Sequence, residues 1–166
     1  MADEVLRIRI LDALAAELEG ISIANGYIHD LPPGAVVWGK AIFGDKDPLP
    51  MISILEVPIP LDQVTPPPDS PYSSGAWELL IQGFVKDDKD KPTRPAHRLM
   101  ADVKKRLALV KRKNKDFNLL DLGKHVIGMR IGAGVVRPPD EVSAKAYFWL
   151  NLTLDIVEDL SNPFEL

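Results

Sequence analysis

The sequence predicts a single α+β domain: a mostly antiparallel sheet of about 4–5 strands, two main helices packed on one of its faces, and one long proline-rich loop. Three observations predict it. Residues 145–157 alternate without a break, with Ala146, Phe148, Leu150, Leu152, Leu154 and Ile156 on one side and Lys145, Tyr147, Trp149, Asn151, Thr153 and Asp155 on the other. That period of two belongs to a strand with one buried and one amphipathic face. Two other segments, near residues 3–19 and from Thr93 onward, carry helical spacing instead. The length of 166 residues suits one domain, 1–166, with enough chain to bury a core without staples.

In chain order, residues 3–19 read as a helix whose apolar face is Ile8, Leu11, Leu14, Ala15 and Leu18. Asp3 and Glu4 suit its N-terminal pole, and Gly20 is its stop. Asn25-Gly26 and Pro32-Pro33-Gly34 are turn signals. A strand is expected over 35–43 and, after the Gly44–Pro48 turn, a central one from Met51 to Val57. Pro58 and Pro60 end it, because proline donates nothing to a sheet ladder. Residues 58–75 hold six prolines and form the long loop, with a stiff extended core. Trp77, Leu79, Ile81 and Val85 alternate again, opposite Glu78 and Gln82. Asp87 to Pro92 is a charged loop. Thr93 is placed to cap the second helix, with Pro95 in its first turn and a buried stripe of Leu99, Val103, Leu107 and Val110. Asp102 has Arg106 one turn away as an expected partner. Residues 113–124 do not resolve into either class. Val126–Val136 reads as a strand weakened and bulged by Gly128, Gly132 and Gly134, and Arg137-Pro-Pro-Asp140 breaks it. Pairing is expected to be antiparallel wherever hairpin-length turns join strands. The last strand, at ~3.3 Å per residue, runs roughly 40 Å, long enough to be expected to extend past its own sheet toward a neighbour. Helices on one face leave the other, with Trp149, for partners.

Composition excludes several functions. There is no cysteine, hence no disulfide and no thiolate metal site. The net charge of −4 is too mild for bulk nucleic-acid binding. The N-terminus does not read as a signal peptide, and no apolar run reaches the ~20 residues of a membrane span.

Motif by motif, catalysis finds little footing. Gly34-Ala-Val-Val-Trp-Gly39-Lys40-Ala41 nearly matches a phosphate-binding loop, but Ala41 stands where the magnesium hydroxyl belongs and the spacer favours a strand. His29, His97 and His125 have no metal spacing. Asp87, Asp88 and Asp90 lack the glycine and terminal glutamate of a calcium loop. Nucleophile elbows and zinc-helix motifs are missing from the sequence. Seven cations fall in the twelve residues from Lys104 to Lys115, Lys105 and Lys111 among them. They form either the solvated side of an amphipathic helix or a patch for phosphates or an acidic protein.

Four blocks in order carry a resemblance: Phe43-Gly-Asp-Lys-Asp-Pro-Leu-Pro-Met-Ile-Ser-Ile-Leu-Glu56, Trp77-Glu-Leu-Leu-Ile-Gln-Gly-Phe84, Pro92-Thr-Arg-Pro-Ala-His-Arg-Leu-Met-Ala-Asp-Val-Lys-Lys-Arg-Leu107 and Val136-Arg-Pro-Pro-Asp-Glu-Val142. With them the chain resembles the tail terminator proteins of long-tailed bacteriophages, also called tail completion or minor tail protein U-like proteins. The resemblance implies an α/β domain that closes into a six-membered ring in the virion, at the tail–neck junction, after assembly in the host cytoplasm. Such a ring caps the tail tube, ends its polymerisation and offers a surface to the head connector or stopper. DNA passes through the lumen without sequence-specific binding. No cofactor, metal, membrane or catalytic residue is implied. Interface candidates on this reading are Pro67 in the proline-rich loop, Tyr72, the aromatic anchors Tyr147 and Trp149, and a complementary pair made by acidic Asp87 and Asp88 with basic Lys105 and Lys111. The alternatives are a tail-tube or head–tail joining protein of similar fold, a small enzyme built on surface carboxylates, and a nucleic-acid-binding module using the basic helix end, which salt-sensitive DNA affinity distinguishes.

Overall fold

Two 14-residue strands organise the molecule. In the computed structural model, which describes residues 4–57, 70–113, 119–139 and 145–164, the elements are α1 (Leu6–Glu19), β1 (Val36–Trp38), β2 (Met51–Glu56), β3 (Tyr72–Val85), α2 (Arg94–Lys113), β4 (Val126–Ile131), β5 (Val135–Arg137) and β6 (Ala146–Asp159). Strands β3 and β6 pair antiparallel over their whole length, from Tyr72 opposite Asp159 to Val85 opposite Ala146. The sheet has six strands in the order β1-β2-β3-β6-β4, with β5 also on β6, and all pairs but one are antiparallel. It is a single α+β domain with both helices on one sheet face, as expected, though with six strands rather than four or five.

Alternation assigns the faces. Trp77, Leu79, Ile81, Gly83 and Val85 of β3 lie opposite Leu154, Leu152, Leu150, Phe148 and Ala146 of β6. Ile52, Ile54, Val126 and Met129 join them, and α1 and α2 cover this face with Leu6, Ile10, Leu11, Leu14, Leu18, Leu99, Val103, Leu107 and Val110. Gly83 interrupts the apolar series for a steric reason. A Cβ there would sit 2.1 Å from Cε1 of Phe148, whose ring occupies the vacant place and is fully buried. In α1 the buried face begins with Leu6 and Ile10, so Ile8 is only half-buried. Gly20 ends the helix in right-handed geometry, and a Cβ on it would approach the Arg106 guanidinium to 2.7 Å.

Several expectations are corrected. Strand β6 does not project beyond its sheet: β3 flanks it on one side, β4 and β5 on the other, so its length is used internally. β1 is three residues long, not nine, and pairs parallel with β2, because residues 39–50 form a connection far longer than a hairpin turn. The expected 126–136 strand divides into β4 and β5, with a bulge between Val126 and Gly128 and a left-handed Gly134 (φ 80°). β3 starts at Tyr72, five residues before the expected Trp77. The rest of the proline-rich loop through residue 69, and with it Pro67, lies outside the described residues, as does Asp3. Past α2, residues 119–125 form two short 3-10 turns, with Leu120 and Asp121 left-handed (φ 58° and 55°). Asp102 does not bond Arg106. It turns to the 28–29 segment, and Arg106 pairs with Glu17 at 2.9 Å.

Candidate functional site

The sheet face away from the helices is built from the odd residues of β6 and the even residues of β3. Across its middle run Ser53, Gln82, Trp149 and Val135, and beside them Met51, Phe84, Tyr147 and Arg137. Residues 39–50 fold back over one end. Ser53 Oγ donates to the Lys40 carbonyl at 2.6 Å, and Lys145 Nζ to the Gly44 carbonyl at 3.3 Å. Phe43 lands on Phe84 (4.4 Å between ring centres), Phe84 stacks with Tyr147 (5.8 Å), and Tyr147 meets Trp149 (5.8 Å). Arg137 lies 5.3 Å from the Trp149 ring centre. The covering segment is pinned by Asp47, which accepts from Lys40 Nζ and from the Gly44 amide. Those bonds, Lys40 first, hold the Asp47 carboxyl below its usual range.

The predicted interface residues are spread over the domain. Tyr147 is 9% exposed, so it is the buried foot of the aromatic row and not a free anchor. Trp149 is half-buried on the open face, clear of both helices. Tyr72 is 53% exposed on that same face, ten residues along β3 from Gln82, or about 33 Å. Asp87 is exposed. Asp88 is half-buried and accepts from the Asp90 and Lys91 amides, which lower its carboxyl's pKa. Its work is to shape the turn into α2. Lys86, Lys89 and Lys91 alternate with the three aspartates, so the loop is balanced in charge and forms no isolated acidic patch. Lys105 and Lys111 are on α2, behind the sheet. Lys105 donates to the Gly26 carbonyl at 2.6 Å over the Tyr27 ring, and Lys111 is exposed in the last turn.

Sequence reasoning missed Phe43 and Arg137 in the open face; it set Gln82 on the side opposite the buried residues of its strand, where it lies, but not beside Trp149. It also missed that the cations of α2 continue N-terminally through Arg98 and Arg94, which spacings of four and seven residues along a helical wheel would have revealed. It missed Asp102 as well. This carboxylate is 3% exposed and accepts from the Ile28 and His29 amides (3.0 and 2.9 Å) and from His29 Nδ1 (2.8 Å). Three bonds from one loop make it the clamp that fixes residues 27–30 onto α2.

The near-match at 34–41 runs through β1, with the Gly39 amide donating to Ile54 (2.8 Å) and Lys40 engaged by Asp47, so no cradle of free amides forms there. Among the described residues no group of three His, Asp or Glu side chains is placed to hold a metal, and no helix is long and apolar enough to cross a membrane. Compared with known proteins, the chain matches no protein-family model and no curated protein.

Proposed function

We propose that the protein is a structural component of a phage virion. It closes into a six-membered ring on the end of the tail tube, stops tube growth and offers a docking surface to the head connector. It works by binding and carries out no catalysis. DNA passes through the ring, and no membrane is involved. The observation that carries this reading is the ordered set of sequence blocks at 43–56, 77–84, 92–107 and 136–142 that resembles tail terminator proteins. Within the described residues these blocks fall on the covering segment and β2, on β3, on α2 and, at Val136 and Arg137, on β5.

Physical considerations support it. A tube of stacked subunits always ends in a surface able to template the next layer, and growth stops only when a subunit fits that surface yet presents another outward. This domain has two unlike surfaces on opposite sides of one sheet, an aromatic and polar one around Trp149 and a basic one on α2. The test is the assembly phenotype. Particles made without this protein are expected to have tails of uncontrolled length that fail to join heads, seen by electron microscopy. Tails of normal length joined to heads would sink the proposal.

A further inference from the structure

The charge of the molecule is divided unevenly. Residues 86–113 carry eleven Lys and Arg against four Asp, while the rest of the chain carries nine against twenty Asp and Glu. Helix α2 concentrates this surplus on one line. At 100° per residue, Arg94, Arg98, Ala101, Lys105, Ala108 and Arg112 fall within about 80° of arc, opposite the buried Leu99, Val103, Leu107 and Val110. All six are exposed. The twenty-residue helix is about 30 Å long, and the stripe runs nearly its whole length. Lys111 and Lys113 flank its far end. At its near end an open depression is lined by Ile28, Lys91, Arg94, His97, Arg98 and Ala101. Lys104 and Arg106 lie off this line, bound to the Ala133 carbonyl and to Glu17, and Lys105, on it, donates to the Gly26 carbonyl. Among the described residues no ion pair engages Arg94, Arg98, Lys111, Arg112 or Lys113. The carboxylate of α2 itself, Asp102, is buried and turned to the 28–29 amides, while Asp88, before the first turn, feels the charge of Arg94.

We propose that this face of α2 is a track for the phosphate backbone of nucleic acid, bound without regard to sequence. A protein partner would want an apolar centre ringed by polar groups. Here Leu109, 36% exposed, and Ile28, 45% exposed in the near-end depression, are separate apolar side chains beside the line and form no apolar centre, and the gaps between cations are alanines. A row of cations with low side chains between them suits a charged strand lying along it, and phosphate neutralisation needs no aromatic or base-reading group. The inference does not depend on ring formation.

The experiment measures binding of a mixed-sequence 30-base-pair duplex by fluorescence anisotropy between 50 and 200 mM salt. With about four phosphates neutralised, the natural protein should lose roughly 100-fold in affinity over that range. The triple variant Arg94→Gln, Arg98→Gln, Arg112→Gln should bind far more weakly and lose only about 4-fold. The control variant Lys46→Gln, Lys124→Gln, Arg130→Gln removes the same charge from exposed positions elsewhere and should keep the natural slope. Equal loss in both variants would mean that net charge, not the stripe, matters, and would overturn the proposal. So would failure of the natural protein to bind the duplex at 50 mM salt. Displacement of the duplex by polyglutamate at matched charge would overturn it in favour of an acidic protein.

Discussion

The two faces of the sheet are made from the same strands and obey different rules. The helix-covered face is closed: Leu79, Ile81, Phe148, Leu150, Leu152 and Leu154 have no exposure at all. Its fit is specific enough to require a glycine under Phe148. The opposite face is a mosaic. Residues 39–50 cover one end, an aromatic row runs from under that cover into the open at Trp149, and beyond it come Asn151, Thr153 and the Arg130–Asp155 pair (3.0 Å). The first face holds the fold. The second is left partly open, as the proposed docking role requires. Substitutions on the two faces should therefore separate stability from assembly.

The largest effect is expected at Gly83. A methyl group there drives into the Phe148 ring, which has no solvent to retreat into. Gly83→Ala should destabilise the domain by about 3 kcal/mol, lowering the melting temperature by roughly 10 °C. Phe148→Leu should recover part of the loss when combined with it, a coupling of about 1 kcal/mol or more in a double-mutant cycle measured by denaturant unfolding. Strict additivity would show that the ring does not occupy the glycine's place.

Trp149→Ala comes next. Truncating a core aromatic costs ~3–5 kcal/mol. Trp149 is half-buried, against Tyr147 and Arg137, and its loss should cost only about 1–2 kcal/mol. Binding to tails, measured by co-sedimentation, should suffer more than melting does. A stability loss of 4 kcal/mol would erase the distinction between the two faces.

How much of this was legible in the sequence follows from the range of the forces involved. Alternation is local, so it identified the buried sides of β3 and β6 and the stripe of α2 residue by residue. The mean pattern gave the fold class. Pairing is not local. Nothing in residues 145–157 states that β3 will run beside all fourteen residues of β6, or that β4 and β5 will take its other edge. The same limit hid the clamp: Asp102 has Arg106 one turn away by spacing, but its partners lie 73 and 74 residues away in the chain. Gly83 is a piece of packing against Phe148, a fact carried only by the cross-strand register. On the open face, the sequence supplied Tyr147 and Trp149 as aromatic candidates. It did not show that Phe43 folds back over Phe84, leaving Tyr147 covered and Trp149 at the boundary of the open surface.

The smallest expected effect on stability is the sharpest test of the contrast. Gln82 lies beside Trp149 on the open face, between Ser53 and Trp149 in the strand register. Its Oε1 is shielded from solvent and, among the described residues, has no donor. A buried acceptor left unpaired costs on the order of 1–3 kcal/mol, so replacing the amide by an apolar chain of similar length should remove a penalty rather than an interaction. Gln82→Met is therefore expected to leave stability unchanged or raise it by up to about 1 kcal/mol, in contrast to any polar-to-apolar exchange that breaks a satisfied bond. If a partner supplies the missing donor when it docks over Trp149, the same variant will bind tails less well while melting no earlier. That pattern, a more stable monomer that assembles poorly, would tie the orphaned oxygen to the interface. A loss of more than 1 kcal/mol in the free protein would show that Gln82 is already satisfied within the chain and that this part of the face is as complete as the one under the helices.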